Sequence, residues 1–226
     1  DAKSYAQPQP LDAVMQGDLD ELLDDAPRIS RVHFTYDKSR EGELFAAIKA
    51  TPAIAGIANA EVILIAVKPQ MMEEVLPAIA GLGASKPLIL SVAAGKTIAS
   101  FERHFGKSAA IIRTIPNTPA SIGRGITAMS ANANVTAAQM KLATELLSAI
   151  GEVVIVDREE LIDSVTAVSG SGPAYVFYLT ECLAAAAEKV GLPPALAMQL
   201  ARATVAGSGE LMRVSGTPAA TLRQNV

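Results

Sequence analysis

The stretch Glu61-Val62-Ile63-Leu64-Ile65-Ala66-Val67 is apolar at nearly every position and then turns polar at Lys68-Pro69-Gln70. A strand with one face in water alternates apolar and polar side chains. An unbroken aliphatic run marks a parallel strand covered on both faces. Such a strand demands layers above and below it, so the chain must supply further strands and helices to cross between them. It does. Val32–Tyr36 reads as a strand and Glu41–Ile48 as a helix. After the apolar run come a helix over Met71–Ala80 and strands over Pro87–Ala93, Ala109–Ile115, Ile126–Ser130 and Glu152–Val156. Thr97–Phe105 is helical. Thr136 opens another helix with Gln139 three residues on, a capping-box spacing, and Gly151 closes it. Strand and helix alternating at this spacing predict an α/β, doubly wound sheet.

After Asp157 the strand pattern stops. Arg158–Val168 reads helical, and Ser169-Gly170-Ser171-Gly172-Pro173 breaks the chain in a tight turn between domains. Pro173 then suits the first turn of a helix reaching Val190, with Gly191 as its stop. A further helix runs from Pro193-Pro194 to about Val214, and a short one begins at Thr217-Pro218. Residues 1–30 differ from both parts: Gln7-Pro8-Gln9-Pro10 is extended, and Asp18–Asp25 is an acidic stretch with interleaved leucines. The expected organisation is an acidic linker or irregular segment over 1–30, an α/β domain over 31–157, and an all-helical domain over 158–226.

Composition narrows the function classes. A net charge of −4 leaves no basic footprint for nucleic acid. The apolar runs fall far short of the roughly 18 residues needed to span a bilayer. A single cysteine, Cys182, permits no internal disulfide and fits a reducing compartment, so the expected location is cytoplasmic. Cys182 sits among apolar residues of a helix and is expected in the core. His33 and His104 lie far apart and make no metal-ligand spacing.

Doubly wound sheets bind ligands at the carboxyl ends of their strands. Three successive strand ends carry unusual sequence: Ala66-Val67-Lys68-Pro69-Gln70, Ser91-Val92-Ala93-Ala94-Gly95, and Arg113-Thr114-Ile115-Pro116-Asn117-Thr118-Pro119. The second is small enough for a flat ligand to approach backbone, and the third holds a polar loop rigid between prolines. Together they read as a cofactor cleft. In the loop Asp37-Lys38-Ser39-Arg40, an acidic residue suits a ribose 2′-hydroxyl, whereas Ser39 and Arg40 suit a 2′-phosphate. The balance favours NADPH over NADH, with simple helix capping by Ser39 as the bland alternative. The glycine fingerprint that seats a pyrophosphate on a helix N-terminus is absent, since Gly17 is the only glycine in residues 1–30. The first βα unit is thus missing, or the chain binds no dinucleotide. Glu159, Glu160 and Asp163 form an acidic group at a helix start, where carboxylates commonly favour the dipole.

The three strand ends, the run from Asp163 through Ser169-Gly170-Ser171-Gly172-Pro173-Ala174-Tyr175, Gly191-Leu192-Pro193 and Leu222–Val226 together resemble one family: pyrroline-5-carboxylate reductase, the last enzyme of proline synthesis. The resemblance covers roughly Val32 to Val226. It implies an amino-terminal Rossmann domain, a helical dimerisation and substrate domain, and homodimers that often assemble into decamers. It implies that Ala66, Val67, Lys68 and Pro69 line the dinucleotide, that Val92, Ala93 and Ala94 lie beside the nicotinamide, and that Asn117 sits on the adjoining loop. Glu159 matches a carboxylate associated with proline binding. Asn225 matches an asparagine reaching cofactor, and Val226 begins the loop that holds the substrate carboxylate. The implied reaction is hydride transfer from NADPH to the C=N carbon of 1-pyrroline-5-carboxylate, without a metal.

Three positions depart from the family pattern. The glycine fingerprint is missing, and so is the Ser/Thr-Pro-Gly-Gly-Thr loop that follows Asn225-Val226, which reads as truncation at both ends. The threonine credited with contacting substrate lies in that loop, so the catalytic residue is unassigned. Ala55 stands where many members have an asparagine contacting the cofactor ribose. Two rival readings remain: a related small hydroxy-acid dehydrogenase, disfavoured by the lack of a lysine or histidine acid/base in the helical part, and a non-catalytic oligomeric scaffold derived from such a reductase.

Overall fold

The computed structural model describes residues 60–67, 69–80 and 86–226. The readings for residues 1–30, the strand Val32–Tyr36, the helix Glu41–Ile48, and Ser39, Arg40, Ala55 and Lys68 lie outside the described residues.

Among the described residues five strands form one sheet in sequential order: β1 (Val62–Ile65), β2 (Leu88–Ser91), β3 (Ala110–Ile115), β4 (Gly125–Ala131) and β5 (Gly151–Ile155). The first three are parallel, joined through α1 (Met72–Ile79) and α2 (Ile98–Phe105). β4 runs antiparallel to β3. Only residues 116–124 separate them, with no crossover helix, and a connection that short turns the chain back. The 12-residue helix α3 (Ala137–Ser148) then carries the chain from β4 to a parallel β5.

Period-two alternation divides the sheet's apolar side chains between two faces. Ile63, Ile65, Ile89 and Ile111 pack with Met72 and Leu76 of α1 and Ile98, Phe101 and Phe105 of α2. Leu88, Leu90, Ala110, Ile112 and Met129 pack the opposite way, against Ala143 and Leu147 of α3. β2 is buried at all four positions because it is covered on both sides, whereas β1, the strand expected to be covered on both faces, buries Ile63 and Ile65 and leaves Leu64 46% exposed. Helix α3 starts on the expected capping box: Gln139 N–H donates to Thr136 Oγ1 at 3.2 Å, and Thr136 N–H donates to Gln139 Oε1 at 3.0 Å. Gly151 opens β5 at φ +140°, where a Cβ would lie 2.0 Å from the Gly125 carbonyl oxygen.

The described residues fall into two compact units, divided between Gly170 and Ser171. This division falls later in the chain than the expected boundary at residue 157, because α4 (Leu161–Val165) buries Ile162 against Ile115 and Ala128 of the sheet. The helix expected over Arg158–Val168 is accordingly shorter, and the chain passes through a wide π-type turn at Thr166–Gly170. The second unit is a helical hairpin of α5 (Gly172–Lys189) and α6 (Pro194–Ser215), followed by α7 (Ala219–Gln224). Gly191 turns the hairpin at φ +99°. Ala184, Ala197 and Ala201 are the hairpin's buried residues, and small side chains there let the helix backbones approach closely.

Cys182 is exposed, contrary to the expected core position. The reason is the breadth of the apolar surface on α5: one neighbouring helix covers the alanine stripe and leaves Tyr175, Phe177, Tyr178 and Leu179 about three-fifths exposed. Cys182 lies one turn beyond Tyr178. A hydrogen bond with Cys182 is the largest of the effects raising the Tyr178 phenol above its ordinary range. Among the described residues, no helix is long and apolar enough to cross a membrane.

Candidate functional site

Because β1, β2 and β3 are parallel, their carboxyl ends open along one rim. Ile65, Ser91 and Arg113 stand side by side there in register, on strands about 4.8 Å apart. Val92 N–H donates to the Ile65 carbonyl at 3.1 Å, extending the ladder one step past Ser91. Beyond it Ala93 is buried in the core, while Ala66, Ala94 and Gly95 are exposed and Val67 and Val92 are half-buried. Pro69 opens the single turn Pro69–Met71 that leads into α1. Gly95 has φ +71°, and a Cβ there would meet nothing within 4 Å. The rim therefore offers backbone and methyl groups to anything flat laid across it.

The hydroxyls behind the rim stiffen it. Thr114 Oγ1 donates to the Ser91 carbonyl at 2.9 Å, and Ala93 N–H donates to Ser91 Oγ at 3.2 Å. Asn117, expected on a cofactor loop, works as a clamp. Its Oδ1 accepts from Ile126 N–H at 2.9 Å and its Nδ2 donates to the Ser169 carbonyl at 3.2 Å, tying the end of β3 to β4 and to the π-type turn.

Arg113 is buried, at 4% exposure, in a strand whose other members are apolar apart from Thr114. A guanidinium in that position needs anionic partners. One N–H donor meets Glu159 Oε1 at 3.1 Å, and a second meets Asp163 Oδ1 at 2.8 Å. Glu159 Oε1 also accepts from the backbone N–H of Ile98, the first residue of α2, at 2.8 Å. Of the acidic group, Glu159 and Asp163 thus close on the sheet and do more than favour their own helix dipole, while Glu160 is exposed. Asn225 caps the end of α7 and Val226 is fully exposed; both belong to the second unit. Among the described residues no group of three or more His, Cys, Asp and Glu side chains is placed to hold a metal ion.

The family model for pyrroline-5-carboxylate reductase dimerisation matches residues 159–226. The solved structure of a pyrroline-5-carboxylate reductase from Coxiella burnetii superposes on 93% of this chain and 80% of its own, with a TM-score of 0.78 and 32% identity. The chain belongs to the pyrroline-5-carboxylate reductase family. The curated pyrroline-5-carboxylate reductase of Synechocystis is 45% identical over 166 residues, covering 74% of this chain and 61% of its own. An NADP-bound pyrroline carboxylate reductase structure from Plasmodium falciparum matches 78% of this chain and 66% of its own at 31% identity and a TM-score of 0.68. The chain spans about three-fifths of the length of the curated relatives it matches, between 61% and 63% for the first three.

Set in this reductase framework, the first unit gathers Ala66, Val67, Pro69, Val92, Ala93 and Ala94 along one rim and sets Asn117 and Glu159 in polar clamps behind it. Sequence reasoning included Arg113 in a strand end of the cleft but gave it no role and missed its pairing with Glu159 and Asp163. The signal was present: an arginine inside Ala-Ile-Ile-Arg-Thr-Ile, with two carboxylates four residues apart downstream, at Glu159 and Asp163.

Proposed function

We propose that this protein reduces 1-pyrroline-5-carboxylate to L-proline, with NADPH as hydride donor. The observation that carries the reading is the likeness to the Coxiella burnetii reductase across 93% of the chain. NADPH is favoured over NADH by Ser39 and Arg40 in the sequence and by the NADP bound in the Plasmodium falciparum relative.

The residues present fit the nicotinamide end of such a cofactor: three parallel strand ends, small side chains, and open space beside Gly95. Ala66, Val67, Lys68 and Pro69 would hold the dinucleotide, with Val92, Ala93 and Ala94 beside the nicotinamide, Ser39 and Arg40 on the 2′-phosphate, and Asn225 as a further contact. When bound, the cofactor supplies a hydride. The chain's part is placement: it fixes the rim and offers substrate a carboxylate at Glu159, while the family resemblance assigns the backbone at Val226 to substrate. Among the described residues Glu159 engages protein through Oε1, leaving Oε2 to meet the cationic nitrogen of a protonated imine. A protonated imine is already electrophilic, so positioning supplies most of what the step needs.

The proposed division of labour sets a dinucleotide-binding part up to residue 157 against a helical part over 158–226 that dimerises and contributes to the substrate site. The exposed apolar surface of α5 and α6 supports a homodimer, with a decamer as the larger assembly, and the proposed location is cytoplasmic. The test is NADPH consumption on adding 1-pyrroline-5-carboxylate, with proline identified in the product. Stoichiometric proline supports the reading; bound NADPH with no proline formed overturns it.

A further inference from the structure

Among the described residues Arg113 is the only buried charged side chain, and nothing in hydride transfer to an imine calls for it. A buried ion pair is a weak source of stability, because desolvation offsets most of the Coulombic gain. Ile111 and Ile115, which share its face of β3, are apolar and buried, and one more apolar residue would fit the strand's pattern. The structure shows what the guanidinium does instead. Its fork reaches Glu159 and Asp163, four residues apart, and holds the segment between them against the sheet. Glu159 passes the constraint on: the oxygen that meets Arg113 also anchors the N–H of Ile98 at the first turn of α2. Helix α2 follows directly on the loop 92–97, which forms the middle of the rim.

We infer that Arg113 is a positioning residue for the reduction, acting through Glu159 to fix the start of α2 and with it the rim loop Val92–Thr97. This rests on the reading that the rim seats the nicotinamide. Lysine cannot replace the arginine fully, since a single ammonium lacks the planar fork that spans two carboxylates. Asp163 is the lesser partner: its side chain is 79% exposed, against 24% for Glu159.

The test is a double-mutant cycle in the full-length protein, comparing Arg113→Met, Glu159→Met and the double variant, with Arg113→Lys as the conservative change. Two readouts are taken: steady-state kinetics with 1-pyrroline-5-carboxylate, and hydrogen exchange at the amides of residues 97–101. A displaced rim loop costs about 10- to 100-fold in kcat, and the Kd for NADPH moves by less than about threefold because most of that ligand lies away from the loop. Ile98 exchanges faster in each single variant. The double variant is no worse than the worse single in either readout, and Arg113→Lys recovers part of kcat. Effects that multiply in the double variant overturn the inference, as does unchanged kcat in a folded Arg113→Met protein. If Arg113→Met fails to fold, Arg113→Lys against Glu159→Gln completes the same cycle. If the wild-type protein makes no proline, the functional reading fails by itself, and the exchange cycle alone decides whether Arg113 holds α2 through Glu159.

Discussion

Phe177 on α5 offers a quantitative test of how this protein associates. It is 60% exposed in the single chain and lies inside the segment matched by the dimerisation family model. A phenylalanine carries roughly 200 Å² of surface, so about 120 Å² of it awaits a partner. At about 25 cal/mol per Å² that area contributes about 3 kcal/mol per copy on burial. A twofold dimer uses the same patch twice, giving about 6 kcal/mol for the pair, or roughly four orders of magnitude in the dimer dissociation constant. Phe177→Asp removes this term and sets an aspartate in its place. Sedimentation equilibrium over a dilution series is the assay, with circular dichroism to establish that the hairpin remains helical. The expected result is a dimeric wild type and a variant that is monomeric at micromolar concentration. A folded variant that dissociates at the wild-type concentration refutes the assignment of α5 to the interface.

Three further substitutions probe the sheet and the rim. Gly151→Ala places a methyl 2.0 Å from the Gly125 oxygen at φ +140° and should cost about 3 kcal/mol or more; an unchanged melting temperature would show that this contact relaxes freely. Asn117→Ala strips partners from both Ile126 N–H and the Ser169 carbonyl, at about 1–3 kcal/mol for each polar group left buried. Asn117→Asp keeps the acceptor for Ile126 and should recover part of that loss in chemical denaturation, with NADPH affinity little changed if the residue is a clamp. Replacing Ser39 and Arg40 together by alanine should raise KM for NADPH about tenfold or more and leave KM for NADH near its starting value; equal changes for both cofactors would remove the 2′-phosphate assignment.

How much was legible follows from which interactions are local. The apolar run at Val62–Val67 signalled a parallel strand, which pairs with β2 as such, but not its cover. Ile63 and Ile65 are buried while Leu64 on the other face is 46% exposed, because how much a face is covered depends on distant layers and not on the run itself. Thr136 and Gln139 announced the start of α3 because a capping box is complete within four residues. Arg113 and Glu159 are 46 positions apart, and their pairing depends on the chain folding back from β5 to the rim. Periodicity holds no record of such a contact. Cys182 misled for a related reason: a helix that is apolar around much of its circumference reads as buried, but within its unit only α6 packs on α5 and Cys182 stays exposed. The tight turn between domains expected at Ser169–Pro173 falls where the two units divide, but the π-type turn leading into it was not legible, since one of its hydrogen bonds comes from the distant Asn117.

The fate of the polar groups at the rim bears on the chemistry. Ser91, Arg113, Thr114 and Asn117 crowd the carboxyl ends of β2 and β3, where a reader of the sequence would look for catalytic side chains. Each is engaged within the protein: Thr114 on the Ser91 carbonyl, the Ser91 hydroxyl on Ala93 N–H, Arg113 on two carboxylates, and Asn117 on Ile126 and Ser169. What they build is a stiff edge that presents backbone and methyl groups. A reaction needing a strong acid or base at the rim would be poorly served by it. Hydride transfer to a protonated imine needs two flat reactants held at a fixed distance, and misplacement by about 1 Å is enough to slow such a step a hundredfold. Polar side chains spent on rigidity are therefore consistent with the proposed chemistry, and they imply that loosening any one of them lowers kcat before it weakens binding.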